Sequence, residues 1–513
     1  MTNRCRFKTR RQRVLHALIL ALAIALAPSV RAGEPEPEAM PDVTDLPDFS
    51  FAGYHAGREA LPDREPTIDV KEDFGAVGDG ETDDSEAFQN ALREAERTGG
   101  RVGIPAGRYV ITQPLRITAN GVGIRGAGSG QTVLVCPRPL ADMIRPERRW
   151  SWSGGVLWVQ PPEGVTTTVA TVAETAEAGS DELTVEVAEG ETIEVGEWLE
   201  LQWHNDTGED TLLDHLYGGV VPRNRMGREL QERRDPRVRE WVRIEAIEGR
   251  TITIQQPLRI DARTEWQPTL VRRPSIREVG IEGLAIEFPG TPYPGHLRER
   301  GYNAVYLLDA INCWVRDLRI IHADSGVFVD RSRYCTVRDV AMSGRRMHHP
   351  LSMSWSSDCL MTDWEIDAPH VHGTTLSWAA HGNVYSRGRA RDLAMDCHRA
   401  ASFENLHTDI TITYANPDRV NPFRSGGSAP RGPHSARRNV YWNIALEFAA
   451  ESDRPVDVVG HNEWPLGIFV GWHGNRPLRF RPIDGMGQQV LDLNRRPEIE
   501  NLHLDQARRR DRR

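Results

Sequence analysis

The segment NCWVRDL at residues 312–318 decides the fold, because related segments recur along the chain. Copies begin at Tyr334 (YCTVRDV) and Asp358 (DCLMTDW), which gives a period of 22 to 24 residues, and weaker copies begin at Asn383 and Asn405. Each unit holds two or three short stretches of alternating β-branched and aromatic residues, with no segment long enough for a crossover helix. A strand-only repeat of this length is typical of the coils of a single-stranded parallel β-helix, so we expect an all-β fold.

The cysteines follow the same repeat. Cys313, Cys335 and Cys359 fall at one position of three successive units. Apart from Cys5, the chain has five cysteines, and an odd number argues against a full disulfide framework. We therefore expect these three side chains to form a buried ladder of small apolar groups without disulfides.

The first 32 residues have the composition of an export signal. A basic stretch precedes an apolar run from Val14 to Ala27, and Val30-Arg31-Ala32 supplies small residues before a cleavage site. We predict cleavage after Ala32 and a secreted or periplasmic protein. The apolar run is too short to span a bilayer comfortably, so no membrane association is expected. The net charge of −10 argues against bulk attraction to nucleic acid.

A helix is expected near the start of the mature chain. DFGAVGDG at residues 73–80 leads into TDDS at 82–85, and an amphipathic pattern follows with Phe88 and Leu92 on its apolar face. Asp83 or Asp84 is the expected N-cap. The segment PAGRY at 105–109 then indicates a strand, a tight turn and a second strand. Such a helix would cover the open end of a β-helix, whose first coil otherwise exposes an apolar edge.

These two segments resemble the DFGAxGDGxTDD and PAGxY signatures of the pectate-lyase-like superfamily, including its rhamnogalacturonase/epimerase-like domain. FAGYH at 51–55, HH at 348–349, MDCHRAA at 395–401 and GPHSA at 432–436 are similar to one branch of it. That branch comprises secreted bacterial proteins, some of them lyases of glycosaminoglycans or polyuronides. The resemblance implies a right-handed parallel β-helix that binds an extracellular anionic polysaccharide, and we expect a monomer.

The pattern between these regions predicts a small β-rich insertion. Segments at 183–187, 198–201, 242–244 and 251–254 have the alternation of antiparallel strands, and an irregular loop at about 204–235 is expected to overhang a cleft. The expected divisions are a signal peptide at 1–32, an N-terminal extension at 33–67, the start of the β-helix with its capping helix at 68–165, the insertion at 166–262, the coils with the site at 263–494, and a charged tail with a frayed end at 495–513.

Outward positions of the later coils carry polar residues. Because strand residues alternate, Met395 and Cys397 are expected to point inward, and Asp396 and His398 outward. The matching outward positions on earlier coils are hydroxylated: Thr375 and Ser377, and before them Ser352 and Ser354. His349 and His372 occupy nearly equivalent columns, and an insertion at 414–438 with Arg424 and His434 is expected to wall this strip. We predict a sugar-binding floor here, with Ser354, Ser377, His349, Arg424 and His434 binding the substrate.

The resemblance implies β-elimination from a uronate as the reaction of this strip. It requires a base, a group that stabilises the enediolate, and an acid for the leaving oxygen. Lysine is limited to Lys8 and Lys71, so histidine or arginine must be the base. His398 oriented by Asp396 is the first candidate and His372 the second. Arg399 or Arg424 is expected to pair with the uronate carboxylate, although strict alternation places Arg399 opposite to His398.

Three alternatives stay open. Hydrolysis needs two carboxylic acids, for which Asp324, Asp330 and Asp396 are the candidates. A non-catalytic protein would bind glycans without cleaving them, with tryptophans stacking on sugars, although Trp355, Trp364 and Trp378 are expected mostly in the core. His370 and His372 share a strand face as metal ligands would, but no third ligand follows at a fixed spacing. No cofactor is required by the lyase prediction. A Ca²⁺ ion that neutralises the uronate is compatible with it, yet no acidic cluster marks a site.

Overall fold

The computed structural model describes residues 46–145, 150–204, 211–232, 236–423, 426–458 and 464–512. The predicted signal peptide and Arg424 lie outside the described residues. The described chain forms stacked coils of parallel strands, as the repeat predicts, and an antiparallel barrel is inserted between the early and the later coils.

The larger parallel sheet runs the length of the coils and carries the repeated segments in register. Trp314 pairs with Thr336, Thr336 with Leu360, and Leu360 with Val384. Its strands, in spatial order, are Ile68–Asp69, Arg101–Ile104, Gly123–Gly126, Gly280–Glu287, Trp314–Ile321, Thr336–Ser343, Leu360–Ile366, Val384–Arg391, Leu406–Tyr414, Val440–Phe448, Ile468–Gly474 and Gln489–Leu491.

A second parallel sheet, the site sheet, carries the outward polar strip. Its strands are Leu115–Ile117, Leu157–Val159, Asn303–Leu308, Ser325–Asp330, His349–Ser354, Thr374–Ser377 and Met395–Arg399. The inward column Val329, Met353, Leu376 and Cys397 is buried, which leaves the alternate side chains facing outward. The remaining paired strands of the coils are Asp79–Asp83, Gly107–Val110, Thr132–Val135, Ile276–Arg277, Ala310–Ile311, Val456–Val458 and Leu478–Phe480.

The predicted capping helix spans Ser85–Thr98 and buries Phe88, Ala91 and Leu92. The two aspartates before this helix accept different hydrogen bonds. Asp84 occupies the N-cap position without a side-chain cap bond, while Asp83 accepts a hydrogen bond from the backbone N–H of Ser85 at 3.0 Å. Asp84 accepts instead from the N–H groups of Val77 and Gly78 and so fixes the preceding turn.

The insertion is a closed antiparallel barrel that extends to Arg272, ten residues beyond the predicted boundary at 262. Its strands are Thr167–Val172, Glu182–Val187, Trp198–Trp203, Val238–Glu248, Thr251–Ile254 and Thr269–Arg272. The last strand closes the barrel by pairing with both the first and the third, which local alternation does not reveal. The loop expected at 204–235 contains the short helices Thr211–Leu216, Arg223–Arg225 and Arg228–Gln231.

Ladders of identical side chains connect successive coils. Cys313, Cys335 and Cys359 are buried and unbridged, as the repeat predicts. Asn383 and Asn405 each donate a side-chain hydrogen bond of 3.0 Å to the asparagine of the next coil, ending at Asn439. Satisfying these buried amides across coils keeps the turns in register.

The tail does not end frayed as expected, because residues 502–510 form a helix. Asn501 caps Leu502–Arg510 through its side chain. Gln506 and Arg510 bind backbone groups of residues 47–56, so this end of the chain has tertiary contacts that composition does not reveal. The other short helices are Tyr54–Gly57, Leu140–Met143, Thr264–Trp266, Pro417–Arg419 and Ala429–Arg431. In the described part of the chain, no helix is long and apolar enough to cross a membrane.

Candidate active site

A cleft of about 600 Å³ lies on the outward face of the site sheet. Ser352, Ser354 and Ser377 line it, so the predicted hydroxylated strip is a cleft floor. The other residues that line it are Trp152, Ser153, Arg239, Tyr306, Phe328, Val329, Asp330, Arg331, His349, Trp355, Trp378, His398 and Arg399.

The strand Met395–Arg399 carries a β-bulge at His398. Cys397 pairs with Leu376, but the next pair joins Arg399 to Ser377, so His398 is the extra residue. Strict alternation would place Arg399 on the opposite face from His398, as the sequence predicts. The bulge removes that conflict, and both side chains line the cleft.

Asp396 connects two histidines beneath the floor. Its carboxylate is fully buried, and its Oδ2 lies 2.8 Å from Nδ1 of His372 and 3.0 Å from Nδ1 of His398. The backbone N–H of Gly426 donates to its other oxygen at 2.6 Å. Although burial alone would raise its pKa, the two histidines hold the pKa of Asp396 well below its usual range. The carboxylate is therefore an orienting anion rather than a group open to substrate.

His398 is the histidine of this pair that reaches the cleft. Its side chain is 12% exposed, while that of His372 is 3% exposed. Because Nδ1 of His398 faces Asp396, its Nε2 is the nitrogen left for a ligand. His372, the second predicted base, lies behind the cleft with its ring stacked 4.6 Å from that of His349.

His349 forms the inner wall, where its Nδ1 lies 3.0 Å from Oγ1 of Thr375. Burial, followed by the neighbouring histidines, lowers the pKa of His349 well below its usual value. His434 lies outside the cleft lining but near His398, and burial lowers its pKa to about 4. The structure thus places His349, Ser354 and Ser377 in the lining and His434 beside it.

Tryptophan and arginine side chains also line the first cleft. Trp355 and Trp378 stack with ring centroids 5.5 Å apart, and both line the cleft, so the expectation that they are core residues is wrong. Trp364 is 2% exposed and is a core residue as expected. The guanidinium of Arg399 lies 5.2 Å from the ring centroid of Trp152 and 5.7 Å from that of Trp378.

A second cleft of about 950 Å³ shares His398, Arg399, Trp152 and Trp378 with the first. Its other lining residues include Glu229 and Leu230 from the insertion loop, so that loop overhangs a cleft as predicted. The 426–433 segment forms a wall of this cleft too. A Cβ added at Gly426 would overlap Nδ1 of His398, and this close approach requires glycine.

Of the three aspartates considered for hydrolysis, only Asp330 lines the first cleft. Asp396 is buried beneath the histidines, and Asp324 is fully buried, where it binds Arg345 at 2.6 Å and the N–H groups of Gly301 and Tyr302. Asp330 accepts a hydrogen bond of 2.8 Å from the Tyr306 hydroxyl, and burial raises its pKa.

Asp330 was considered from the sequence only for hydrolysis, yet it lies in the same column as Ser354 and Ser377, so the repeat itself places it in the strip. Other lining residues were missed from the sequence. Trp152, Arg239 and Tyr306 come from segments outside the well-aligned repeats, and no local pattern indicates that they approach this strip.

The match to a known family lies in the first coils of the chain. Residues 67–137 match the family model described as rhamnogalacturonase A/epimerase, pectate lyase-like. Alginate lyase 7 of Azotobacter vinelandii is 42% identical over 69 residues, which are 12% of this chain and 8% of that protein. The pre-neck appendage protein of Bacillus phage B103 is 43% identical over 73 residues, 14% of this chain and again 8% of that protein.

Solved structures align over most of the chain at low identity. An exopolygalacturonase from Thermotoga maritima is 12% identical, with 84% of this chain and 94% of that one covered and a TM-score of 0.40. The A-module of a mannuronan C-5 epimerase from Azotobacter vinelandii is 12% identical, with 85% and 96% covered and a TM-score of 0.38. Residues 67–137 thus match a pectate-lyase-like family, and the described chain has the stacked parallel coils of a β-helix.

Proposed function

We propose that this protein is a secreted polysaccharide lyase that cleaves a uronic-acid-containing glycan by β-elimination. One observation carries the proposal: a histidine oriented by a buried carboxylate and an arginine project together into one open cleft. Secretion rests on the predicted signal peptide.

His398 is the proposed base. Asp396 holds Nδ1, which fixes the ring and leaves Nε2 to remove the proton alpha to the uronate carboxylate. The same carboxylate stabilises the imidazolium formed in that step. His372, which lies beneath the cleft, is a positioning residue in this scheme.

Arg399 is the proposed partner of the uronate carboxylate. Within the described residues, no carboxylate lies within ion-pair distance of its guanidinium, whereas Arg331 is paired with Asp309 at 3.0 Å. Such a guanidinium at the edge of the cleft can bind the substrate anion and withdraw charge from the developing enediolate. Trp152 and Trp378 hold the guanidinium in place and offer faces on which sugar rings can stack.

Tyr306 and Asp330 are the proposed source of the proton for the leaving oxygen. Burial and the nearby Asp330 raise the pKa of Tyr306 well above its usual value, so the hydroxyl keeps its proton at neutral pH. Both side chains line the cleft that holds His398.

We favour elimination over hydrolysis because of the number of acidic residues that line the first cleft. A hydrolase needs two carboxyl groups across the scissile bond, and Asp330 is the one acidic residue among the described residues that line the first cleft. The name of alginate lyase 7 supports the same reaction class, although the matched segment covers 8% of that protein.

The test is incubation of the mature protein with chondroitin, hyaluronan, alginate, pectate and ulvan in turn. A rise in ultraviolet absorbance on any polymer indicates an unsaturated uronate product and supports the proposal. New reducing ends without that rise would indicate a hydrolase, and retention of polymer without cleavage would indicate a binding protein. Either of these outcomes would contradict lyase activity.

A further inference from the structure

Three histidines from separate coils converge beside the active-site cleft. His296 lies on the loop between the strands Gly280–Glu287 and Asn303–Leu308, His348 precedes a strand of the site sheet, and His372 precedes the next one. One ring nitrogen from each lies within 4.8 Å of those of the other two. The ring centroids of His296 and His348 are 4.9 Å apart, and those of His348 and His372 are 5.1 Å apart.

Buried carboxylates stand behind two of these rings. Nδ1 of His372 lies 2.8 Å from Asp396, and Nδ1 of His348 lies 3.2 Å from Oε1 of Glu299. Glu299 is itself fixed by hydrogen bonds from Ser151 at 2.6 Å and from Tyr293. Carboxylates placed in this way orient metal-binding histidines in proteins.

His348 is the least satisfied member of this group. It is 1% exposed, and neither of its ring nitrogens makes a well-formed hydrogen bond within the described residues. A buried polar ring without a good partner is costly unless something else satisfies it.

We propose that His296, His348 and His372 bind a first-row transition-metal ion of the zinc type. Three imidazole nitrogens suit zinc and its neighbours, whereas Ca²⁺ requires six to eight oxygen ligands. His372, Asp396 and His398 form a second group of close ligand atoms, but both histidines there already lie at hydrogen-bond distance from Asp396.

The ion would lie at the margin of the active site. His296 lines the second cleft, and the ring centroids of His372 and His398 are 4.5 Å apart. A bound cation would therefore add positive charge where an anionic sugar is expected to bind. Metal binding does not depend on the proposed reaction, since it concerns the protein without substrate.

The experiment titrates chelator-treated full-length protein with Co²⁺, followed by visible absorption, and with Zn²⁺, followed by calorimetry. The expected result is one ion per chain with a spectrum of nitrogen ligation. His348→Ala and, separately, His296→Ala are expected to weaken binding at least about 100-fold, which is about 2.7 kcal/mol. His296 is exposed, so its replacement tests the site even if His348→Ala does not fold.

His473→Ala is the matched control, because His473 lies on a different sheet and contacts the carbonyl oxygen of Gly471. This variant is expected to bind as tightly as the wild type. The proposal is overturned if the folded wild-type protein binds neither ion with one-to-one stoichiometry, or if binding survives His296→Ala but is lost in His398→Ala.

Discussion

At the scale of the residue, the proposed chemistry depends on the directions of two neighbouring side chains. His398 and Arg399 are adjacent in sequence, yet both line the cleft because the bulge absorbs one residue. The proposed base and the proposed anion-binding group lie on one strand end and keep a fixed separation, since both are held by the same backbone.

Replacing His398 by alanine is expected to lower kcat at least about 100-fold, since general base catalysis contributes on the order of 10² to 10⁴. The Tm is expected to stay within a few degrees because the side chain lies at the cleft rather than in the core. Initial rates of ultraviolet absorbance and a melting curve check both points. His473→Ala is the control, and a His398→Ala enzyme with full activity would remove His398 from the mechanism.

Replacing Arg399 by alanine is expected to raise KM about tenfold or more on a uronate polymer, since its loss removes a charge-assisted bond of about 1.5 to 3 kcal/mol. The comparison is Arg479→Ala, which breaks an exposed pair with Asp457 away from the cleft. Steady-state kinetics at two salt concentrations measure the effect. Equal KM values for the two variants would show that Arg399 does not bind the carboxylate.

Some residues of the site could be placed from the sequence repeat, and others could not. Asp396, Ser354 and Ser377 follow from alternation within a repeat, so the sequence predicted their outward direction correctly. The direction of the Arg399 side chain could not be predicted in this way, because a bulge depends on how one coil pairs with the next. Trp152 and His296 lie in loops whose path is set by tertiary packing, and periodicity carries no information about it.

At the scale of the element, the 426–433 segment packs against the proposed catalytic residues Asp396 and His398. Gly426 donates its backbone N–H to Asp396 and passes close to both His398 and His372. The segment therefore acts as a backbone clamp on the buried carboxylate.

Gly426→Ala is expected to lower kcat by about tenfold or more, because the added Cβ would displace either His398 or the clamp. Gly130→Ala is the matched control, since a Cβ there meets no atom within 4 Å and its backbone φ is not positive. Kinetics and Tm of both variants are measured. A Gly426→Ala enzyme that behaves like the control would mean that the clamp is not needed.

A ring stack crossing three strands is expected to make stability depend on pH. His407 stacks between Tyr385 and Tyr441, and burial lowers its pKa to about 3. The unfolded chain, in which a histidine has a pKa of about 6.5, binds this proton more readily between those values. Stability is therefore lost as pH falls from about 6.5 towards 3, by about 1.4 kcal/mol per pH unit.

His407→Phe keeps the stack but removes that proton. Urea unfolding at several pH values is expected to show a shallower decline in the free energy of unfolding for this variant than for the wild type. Other buried histidines, such as His503, contribute equally to both proteins and cancel in the comparison. Parallel slopes would contradict the assigned role of His407.

At the scale of the whole molecule, both ends of the described chain support one another. The helix Leu502–Arg510 binds backbone groups of residues 47–56, and Tyr54 donates a hydrogen bond of 2.6 Å to Glu278 beside the coils. Truncation after Ile499 is expected to lower Tm by several degrees and expose residues 47–57 to proteolysis. Truncation after Asp511 is the control. Equal melting and cleavage in both proteins would contradict this bracing role.

The stacked-coil fold could be predicted from the sequence, but the end of the barrel and the terminal helix could not. A repeat of 22 to 24 residues specifies stacked coils, because each coil must bury its apolar face on the next one. The barrel end at Arg272 and the terminal helix depend on contacts between distant segments, such as Thr269 with Gln202, which no local pattern records.

The most direct test of the account is the mass of the products from whichever uronate polymer the protein cleaves fastest. β-Elimination adds no water, so each new non-reducing end is predicted to carry an unsaturated uronate, and the oligosaccharide to be lighter by one water than its hydrolytic counterpart. Products with that mass would establish the lyase reaction. Saturated products with the mass of hydrolysis would contradict it and would assign the cleft to a hydrolase.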